Sequence, residues 1–307
     1  MTRDLRPLFD PRSVAILGAS SDPTKWGHWL ARSALEGDGE REVFLVNRGG
    51  AEILGRRSYR SLAELPEPPE LVAVALPEAA FERAVDDALE AGAKAIVAIT
   101  AGLGETGEAG RVRERAVVER VRAAGAILVG PNCLGVFDAH TGLRLASNEL
   151  RGGEIGLVSQ SGNIGLELGI LVGEVELGFS RFVSLGNQAD LEVADVVADF
   201  AAHDATKVIA VYCEDFRDGL AFARAADAAG AAGKGVVLLA VGGSDEGVRA
   251  ARSHTGALVS ELAAVDAACR AARIERVSTP KELADAVQAL ALAPPPRGRR
   301  LAVIADG

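Results

Sequence analysis

Short apolar runs alternate with longer segments of helical periodicity along almost the whole chain, the pattern of repeated βα units around a parallel sheet. In the first half the runs predict strands over residues 13–17, 43–46, 71–75, 95–99 and 126–129, which make one sheet. Phe81, Ala84, Val85, Ala88 and Leu89 recur at helical spacing over residues 81–91, and Gly92 follows where that helix would end. An irregular stretch, 138–153, precedes a second set of strands at 155–159, 181–184, 208–212, 235–240 and 275–277. Helical patterns at 191–202 and 257–272 lie among them, the latter apolar at Leu258, Leu262, Val265 and Cys269. The proline-rich run from Pro294 to Arg300 breaks all periodicity, and LAVIADG after it reads as a strand entering a new turn. The expectation is an α/β chain with mainly parallel sheets, divided into residues 1–140, residues 150–293, and a tail, 294–307, that opens a third domain at Leu301.

Composition narrows the function classes. The 307 residues are ample for two domains of roughly 150 residues each. With 49% apolar and 25% charged residues the chain resembles neither a disordered nor a fibrous protein. Asp and Glu outnumber Lys and Arg by 43 to 33, and the net charge of −10 argues against general nucleic-acid binding, which needs a basic face. No apolar run approaches the roughly 20 residues of a membrane span, and the start, MTRDLRPLFDPRS, lacks the apolar core of a secretory signal. A cytoplasmic location is expected. Cys133, Cys213 and Cys269 form no C-x-x-C pair, so neither a disulfide framework nor a metal site is predicted.

The first candidate chemistry follows the first strand. Gly18, Ala19, Ser20 and the residues to Lys25, Trp26 and Gly27 form a small-residue turn before a helical pattern, where backbone N–H groups and a helix N-terminus can face an anion. Against G-x-G-x-x-G, the second glycine is Ser20 and the third is Pro23. Strand two ends in Asn47 and Arg48 instead of a ribose-binding Asp or Glu, which disfavours NAD. Arg48 suits a phosphorylated ribose, found in both NADP and coenzyme A, so the residues leave those two open, beside a plain turn without ligand. Turns at 100–107 and at Gly130, Pro131, Asn132, Cys133, Leu134, Gly135 fall at the same edge of the sheet. Nothing adjacent would lower the thiol pKa of Cys133, so it reads as a packed residue.

A second constellation lies in the other half. Ser161 and Gly162 follow a strand and open a helical stretch at 164–172, while Ser253, His254, Thr255 and Gly256 precede the amphipathic helix at Ala257. Two helix N-termini aimed at one point stabilise a dianion, which suits a phosphorylated His254, and Glu214 after the strand at 208–212 is a carboxylate able to fix the imidazole's tautomer. A cap or surface histidine is the plain alternative. Ser161, Glu214 and His254 also stand in the chain order of an α/β-hydrolase triad, but the elbow G-x-S-x-G would need glycines where Ser159 and Asn163 stand.

The ordered set ILGASSDPTKWG, FLVNRGGAEILG, AITAGLGETG, GPNCLG, LVSQSG, SLGNQAD, VYCEDFRDG and RSHTGAL resembles the NDP-forming acyl-CoA synthetases, above all the ADP-forming acetyl-CoA synthetase branch, relatives of the succinyl-CoA synthetase alpha subunit. The resemblance covers nearly the whole chain. It implies a Rossmann-like CoA-binding domain followed by a flavodoxin-like domain. It also implies an ATP-grasp module, on the same chain or a partner subunit, that brings ADP or ATP and Mg2+. By the same match Gly18, Ser20, Lys25 and Gly27 form the coenzyme A loop, Asn47 lies beside the adenosine end and Asn132 near the thiol arm. Ser161, Gly162, Thr255 and Gly256 would bind phosphate, Glu214 would orient the histidine, and His254 would carry the phosphoryl group. The implied reaction converts acyl-CoA, phosphate and ADP reversibly to carboxylic acid, CoA and ATP, in an oligomeric enzyme.

Two departures stand out. Relatives typically read V-N-P-K-G-G where this chain has Val46, Asn47, Arg48, Gly49, Gly50 and Ala51, which displaces the basic residue by one. Relatives tend to carry Lys-Ser-Gly-Arg where Ala240, Val241, Gly242 and Gly243 stand, which removes two positive charges near the implied phosphate path. That loss motivates a second hypothesis, a CoA-sensing regulatory module with vestigial ligase chemistry, of the kind fused to an acyltransferase. An NADP-dependent oxidoreductase is the third, and it predicts micromolar NADPH binding.

Overall fold

A computed structural model describes residues 3–37, 41–146, 150–241 and 262–293, with the single residues 298 and 302. The first sheet has the strands β1 (Ser13–Leu17), β2 (Glu42–Val46), β3 (Ser58–Tyr59), β4 (Leu71–Val74), β5 (Ala95–Ala98) and β6 (Ile127–Val129), all parallel, in the order β3-β2-β1-β4-β5-β6. Strand order reverses between β1 and β4, the crevice at which open α/β sheets take ligands. The strands expected from periodicity are present, and β3 is additional: two residues pairing with Leu45 and Val46 are too few to show a period.

The second sheet runs β13-β12-β11-β9-β10-β7-β8. Its parallel part is β9 (Gly152–Ser159), β10 (Phe179–Ser184), β11 (Val208–Cys213), β12 (Gly235–Ala240) and β13 (Glu275–Val277). Strands β7 (Gly135–Asp138) and β8 (Leu143–Ala146) form a hairpin that adds antiparallel to β10. The apolar pattern assigns residues 135–138 to the first domain and makes 138–153 irregular, whereas both strands join the second sheet. Their short apolar content gives no strand signal, and what holds them is pairing across the chain, including an ion pair of Arg181 Nε with Asp138 Oδ2 at 2.6 Å beside the Arg181–Asp138 register.

Helices α1 (Arg6–Phe9), α2 (Trp26–Leu35), α3 (Phe81–Glu90), α4 (Glu108–Ala123), α5 (Gly162–Gly173), α6 (Val193–Ala202) and α7 (Gly219–Ala231) cover the sheets, with two further helices at Leu262–Ala272 and Pro280–Leu292. Helix α3 ends as its pattern predicts, with Gly92 at φ +90°. One core cluster includes Val14 and Ile16 of β1, Leu30 of α2, Val129 of β6, Val158 of β9, Val197 of α6 and Phe222 of α7, so the layer between the two sheets is shared. Outer clusters pack α3 and α4 on the first sheet and α5 with Pro280–Leu292 on the second. Strands buried on both faces explain why β4 and β5 read as unbroken apolar runs. Among the described residues no helix is long and apolar enough to cross a membrane.

Candidate functional site

The turn after β1 is held by backbone contacts that exclude side chains. Gly18 has φ +98°, and a Cβ there would lie 2.5 Å from the Ala75 carbonyl oxygen that follows β4. Gly27, in the first turn of α2, presses on Gly18 so closely that a Cβ would sit 1.9 Å from the Gly18 oxygen. The amides of Gly18 and Ala19 donate to the Val46 carbonyl at 3.0 and 3.1 Å. Asn47, after β2, donates from Nδ2 to the Ala19 oxygen at 2.7 Å and accepts from the Gly49 amide at 2.8 Å. Its side chain therefore shapes the loop. Ser20 Oγ accepts from the Asp22 amide, and hydrogen bonds from Thr24 hold the Asp22 carboxyl below its usual range.

Lys25 caps α2 without a side-chain hydrogen bond to the helix and is exposed, its ammonium 3.9 Å from Asp22 Oδ2. Arg48 is exposed and, with Gly18, Asn47 and Arg60, lines a cleft of about 810 Å³. The structure thus gathers Gly18, Ser20, Lys25, Gly27, Asn47 and Arg48 around the ends of β1 and β2, beside the strand-order reversal. Asn132, at φ +58° after β6, stands three strand positions from β1.

The second group forms around the ends of β9 and β11. Ser161 caps α5, accepting from the Ile164 amide at 3.5 Å, while Ser159 Oγ donates to the Ser161 carbonyl at 2.5 Å. Buried Gln160 accepts from the amides of Glu214 and Asp215 and donates to the Asp215 carbonyl at 2.6 Å, tying the Ser161 turn to the Glu214 turn. Glu214 is itself buried, and its Oε1 accepts from the Tyr212 hydroxyl at 3.2 Å. Burial and then the charge of Glu214 push the Tyr212 phenol well above its ordinary value. His254, Thr255 and Gly256 lie outside the described residues, as do Gly242 and Gly243. Of the A-V-G-G departure, Ala240 ends β12 and the Val241 amide donates to the Cys213 carbonyl at 3.0 Å.

The turn after β6, which carries Asn132, meets the second group. Leu134 donates its amide to Ser184 Oγ at 3.0 Å, and its side chain lies on Gly162, where a Cβ would be 2.4 Å from Leu134 Cγ. Cys133 is buried with its thiol donating to the Ala98 carbonyl at 3.2 Å, and burial pushes that thiol up to about 12, as suits a packed side chain.

Several contacting residues carry no signal that single-residue reading would isolate. Asn187, in the turn after β10, bonds to Asn132, Glu105 and Glu114. Glu105 also accepts from the Gly102 and Leu103 amides, and these bonds outweigh burial and hold its carboxyl low. Burial raises the Glu114 carboxyl, against its hydrogen bonds from Asn187 and Gly104. The motifs AGLGETG and SLGNQAD contain Glu105 and Asn187, but only the fold shows that they touch.

Residues 152–290 match the family described as succinyl-CoA ligase like flavodoxin domain, and residues 12–139 the family described as CoA binding domain. The chain is similar to the alpha subunit of acetate–CoA ligase [ADP-forming] I from Pyrococcus furiosus, with 33% identity over 99% of this chain and 67% of that subunit. The chain belongs to the NDP-forming acyl-CoA synthetase family. A second alpha subunit of the same organism, of acetate–CoA ligase [ADP-forming] II, shares 34% identity over 97% of this chain and 65% of its own length. The solved structure of the dinucleotide forming acetyl-coenzyme A synthetase 1 of Ca. Korarchaeum cryptofilum, in complex with phosphate and ADP, superposes with a TM-score of 0.91 at 29% identity, covering 96% of this chain and 64% of that one. The chain thus spans about two thirds of the length of these three relatives.

Proposed function

We propose that this chain is the CoA- and phosphate-handling portion of an ADP-forming acyl-CoA synthetase. The observation that carries the reading is the contact of Leu134 with Gly162, which sets the loop after β6 against the first turn of α5. The adenosine end of CoA would lie in the cleft by Gly18, Asn47 and Arg48, with Ser20, Lys25 and Gly27 completing the phosphate loop. Strands spaced about 4.8 Å apart put the end of β6 about 14 Å from the end of β1, a span for an extended pantetheine arm with its thioester near Asn132.

Phosphate held at Ser161 and Gly162 attacks the thioester carbonyl; the C–S bond breaks, CoA leaves as the thiol, and an acyl phosphate forms. His254 takes the phosphoryl group from it and releases the carboxylate. Phosphohistidine then passes that group to ADP on an ATP-grasp module, which would be the partner of this chain and the source of Mg2+. Glu214, steadied by Tyr212 and Gln160, fixes the imidazole, and Thr255 and Gly256 offer amides to the phosphate. Such chemistry is mostly positioning and charge stabilisation, which fits a site made of glycines and helix starts.

The test is incubation of the protein with labelled phosphate and a panel of acyl-CoAs, reading acid-labile, base-stable label, with His254→Ala as control. Label that the variant loses supports the reading and ranks the acyl groups. No label, repeated with an ATP-grasp partner and with CoA binding shown separately, sinks it in favour of the CoA-sensing module that the missing basic residues before His254 motivate.

A further inference from the structure

Asn187 follows β10 of the second sheet, yet among the described residues its side chain bonds to loops and a helix of the first. Its Nδ2 lies 2.6 Å from Glu105 Oε2 and 2.8 Å from Glu114 Oε2, and its Oδ1 accepts from Asn132 Nδ2 at 3.2 Å. Its amide donates to the Pro131 carbonyl at 2.9 Å. The preceding Gly186, at φ +54°, lies so close to the same turn that a Cβ would be 2.2 Å from the Asn132 oxygen. Glu105 in turn grips the Gly102 and Leu103 amides at 2.6 and 3.1 Å. One amide therefore ties together the turn after β5, the turn after β6 and helix α4.

An amide has two hydrogens and a carbonyl, and here both hydrogens and one lone pair have partners. Alanine would supply none of these bonds and would leave two neighbouring carboxylates without their shared donor. Aspartate would place a third negative charge between them.

We infer that Asn187 is a positioning residue that sets the Asn132 turn, and with it the thioester, at working distance from the phosphate-binding start of α5. The inference rests on the ligase reading above. It separates two duties: the β1–β2 cleft binds the nucleotide end, while Asn187 governs the chemical step. Small displacements of reacting groups cost rate far more than they cost affinity.

The experiment compares Asn187→Ala, Asn187→Asp and Asn187→Asp with Glu114→Gln in this chain assayed together with an ATP-grasp module. Acyl-CoA turnover with phosphate and ADP, and CoA affinity by calorimetry, are read together. The expected result is a fall in kcat of at least about 10-fold for Asn187→Ala, with CoA Kd within about twofold. Asn187→Asp should be worse, and adding Glu114→Gln, which returns a donor, should recover part of the loss. A kcat within about twofold of wild type overturns the inference, and so does a CoA Kd that weakens in step with kcat. If the wild-type protein turns over no acyl-CoA, the ligase reading itself has failed. Hydrogen exchange at residues 130–134 then decides the positioning role: faster exchange in Asn187→Ala upholds it and unchanged exchange overturns it.

Discussion

Gly162 and Leu134 stand in contact across the junction of the two sheets, with room for a hydrogen and none for a methyl: a Cβ on Gly162 would be 2.4 Å from Leu134 Cγ and 2.7 Å from Cδ1. Leu134 is anchored by the hydrogen bond from its backbone amide to Ser184 Oγ, so the branch point cannot withdraw without moving the turn. Gly162→Ala should therefore cost about 1–3 kcal/mol of stability. It should also lower acyl-CoA turnover about 10- to 100-fold, because it displaces one reacting group from the other. Leu134→Ala in the same chain reopens the space and should restore much of both. A double-mutant cycle checks this, and additive losses would show that the contact does not couple the two turns.

The glycines of the first loop are expected to govern CoA affinity. Gly27→Ala drives a methyl into the Gly18 carbonyl, and Gly18→Ala combines a 2.5 Å contact with a φ of +98°. Each should weaken CoA binding by at least about 10-fold, since the loop must shift to relieve strain of about 1–3 kcal/mol. Calorimetric titration with CoA is the check. Binding within twofold of wild type for both would remove the ligand from this loop.

Tyr212→Phe removes a 3.2 Å hydrogen bond to Glu214 and keeps the ring. Histidine labelling should slow about 3- to 10-fold, the worth of one hydrogen bond near a charged group, with CoA affinity unchanged. The phenol lies above its ordinary 10.0 through burial and the neighbouring Glu214, so it stays protonated across the working range. No alkaline loss of rate below about pH 10 should trace to it. A pH–rate profile in which the wild type alone shows such a limb would contradict this.

Asp190 is buried and receives Arg3 Nη1 and Nη2 at 3.0 and 2.7 Å, Arg122 Nε at 2.7 Å and the Leu128 amide at 3.0 Å. Burial alone would raise its carboxyl, but these bonds prevail and hold it below the ordinary value. A depressed native pKa contributes stability that is present above the unfolded value of about 3.9 and lost as pH falls through the native one. Asp190→Asn should cost about 1–3 kcal/mol near neutrality. Urea midpoints of the two proteins should converge under acid, and a gap that persists there would assign the loss to something other than charge.

Much of the architecture was legible along the chain because a strand buried on both faces must be apolar throughout. Strands β1, β4, β5 and β12 stand where their runs predict. Hairpin β7–β8 leaves no such signal because its stability comes from pairing with β10, where Asp138 meets Arg181. Candidate ligand residues near a glycine turn, such as Gly18 and Gly27, were readable because a close backbone approach leaves only glycine as an option. Asn47 shows the limit: its place at the end of β2 is readable, but that its side chain bonds Ala19 and Gly49 and builds the turn is not.

The sequence by itself determined the fold class, the places where strands hand over to helix starts, and the residue types able to handle phosphate, since periodicity and turn chemistry are local. Tertiary structure alone decided which turns face each other. That Leu134 meets Gly162, that Gln160 joins the Ser161 and Glu214 turns, and that Asn187 reaches Glu105, Glu114 and Asn132 depends on two sheets sharing one buried layer. Contacts between residues 55 and 82 positions apart leave no period in the chain, because they are selected by packing and by the need of buried polar groups for partners.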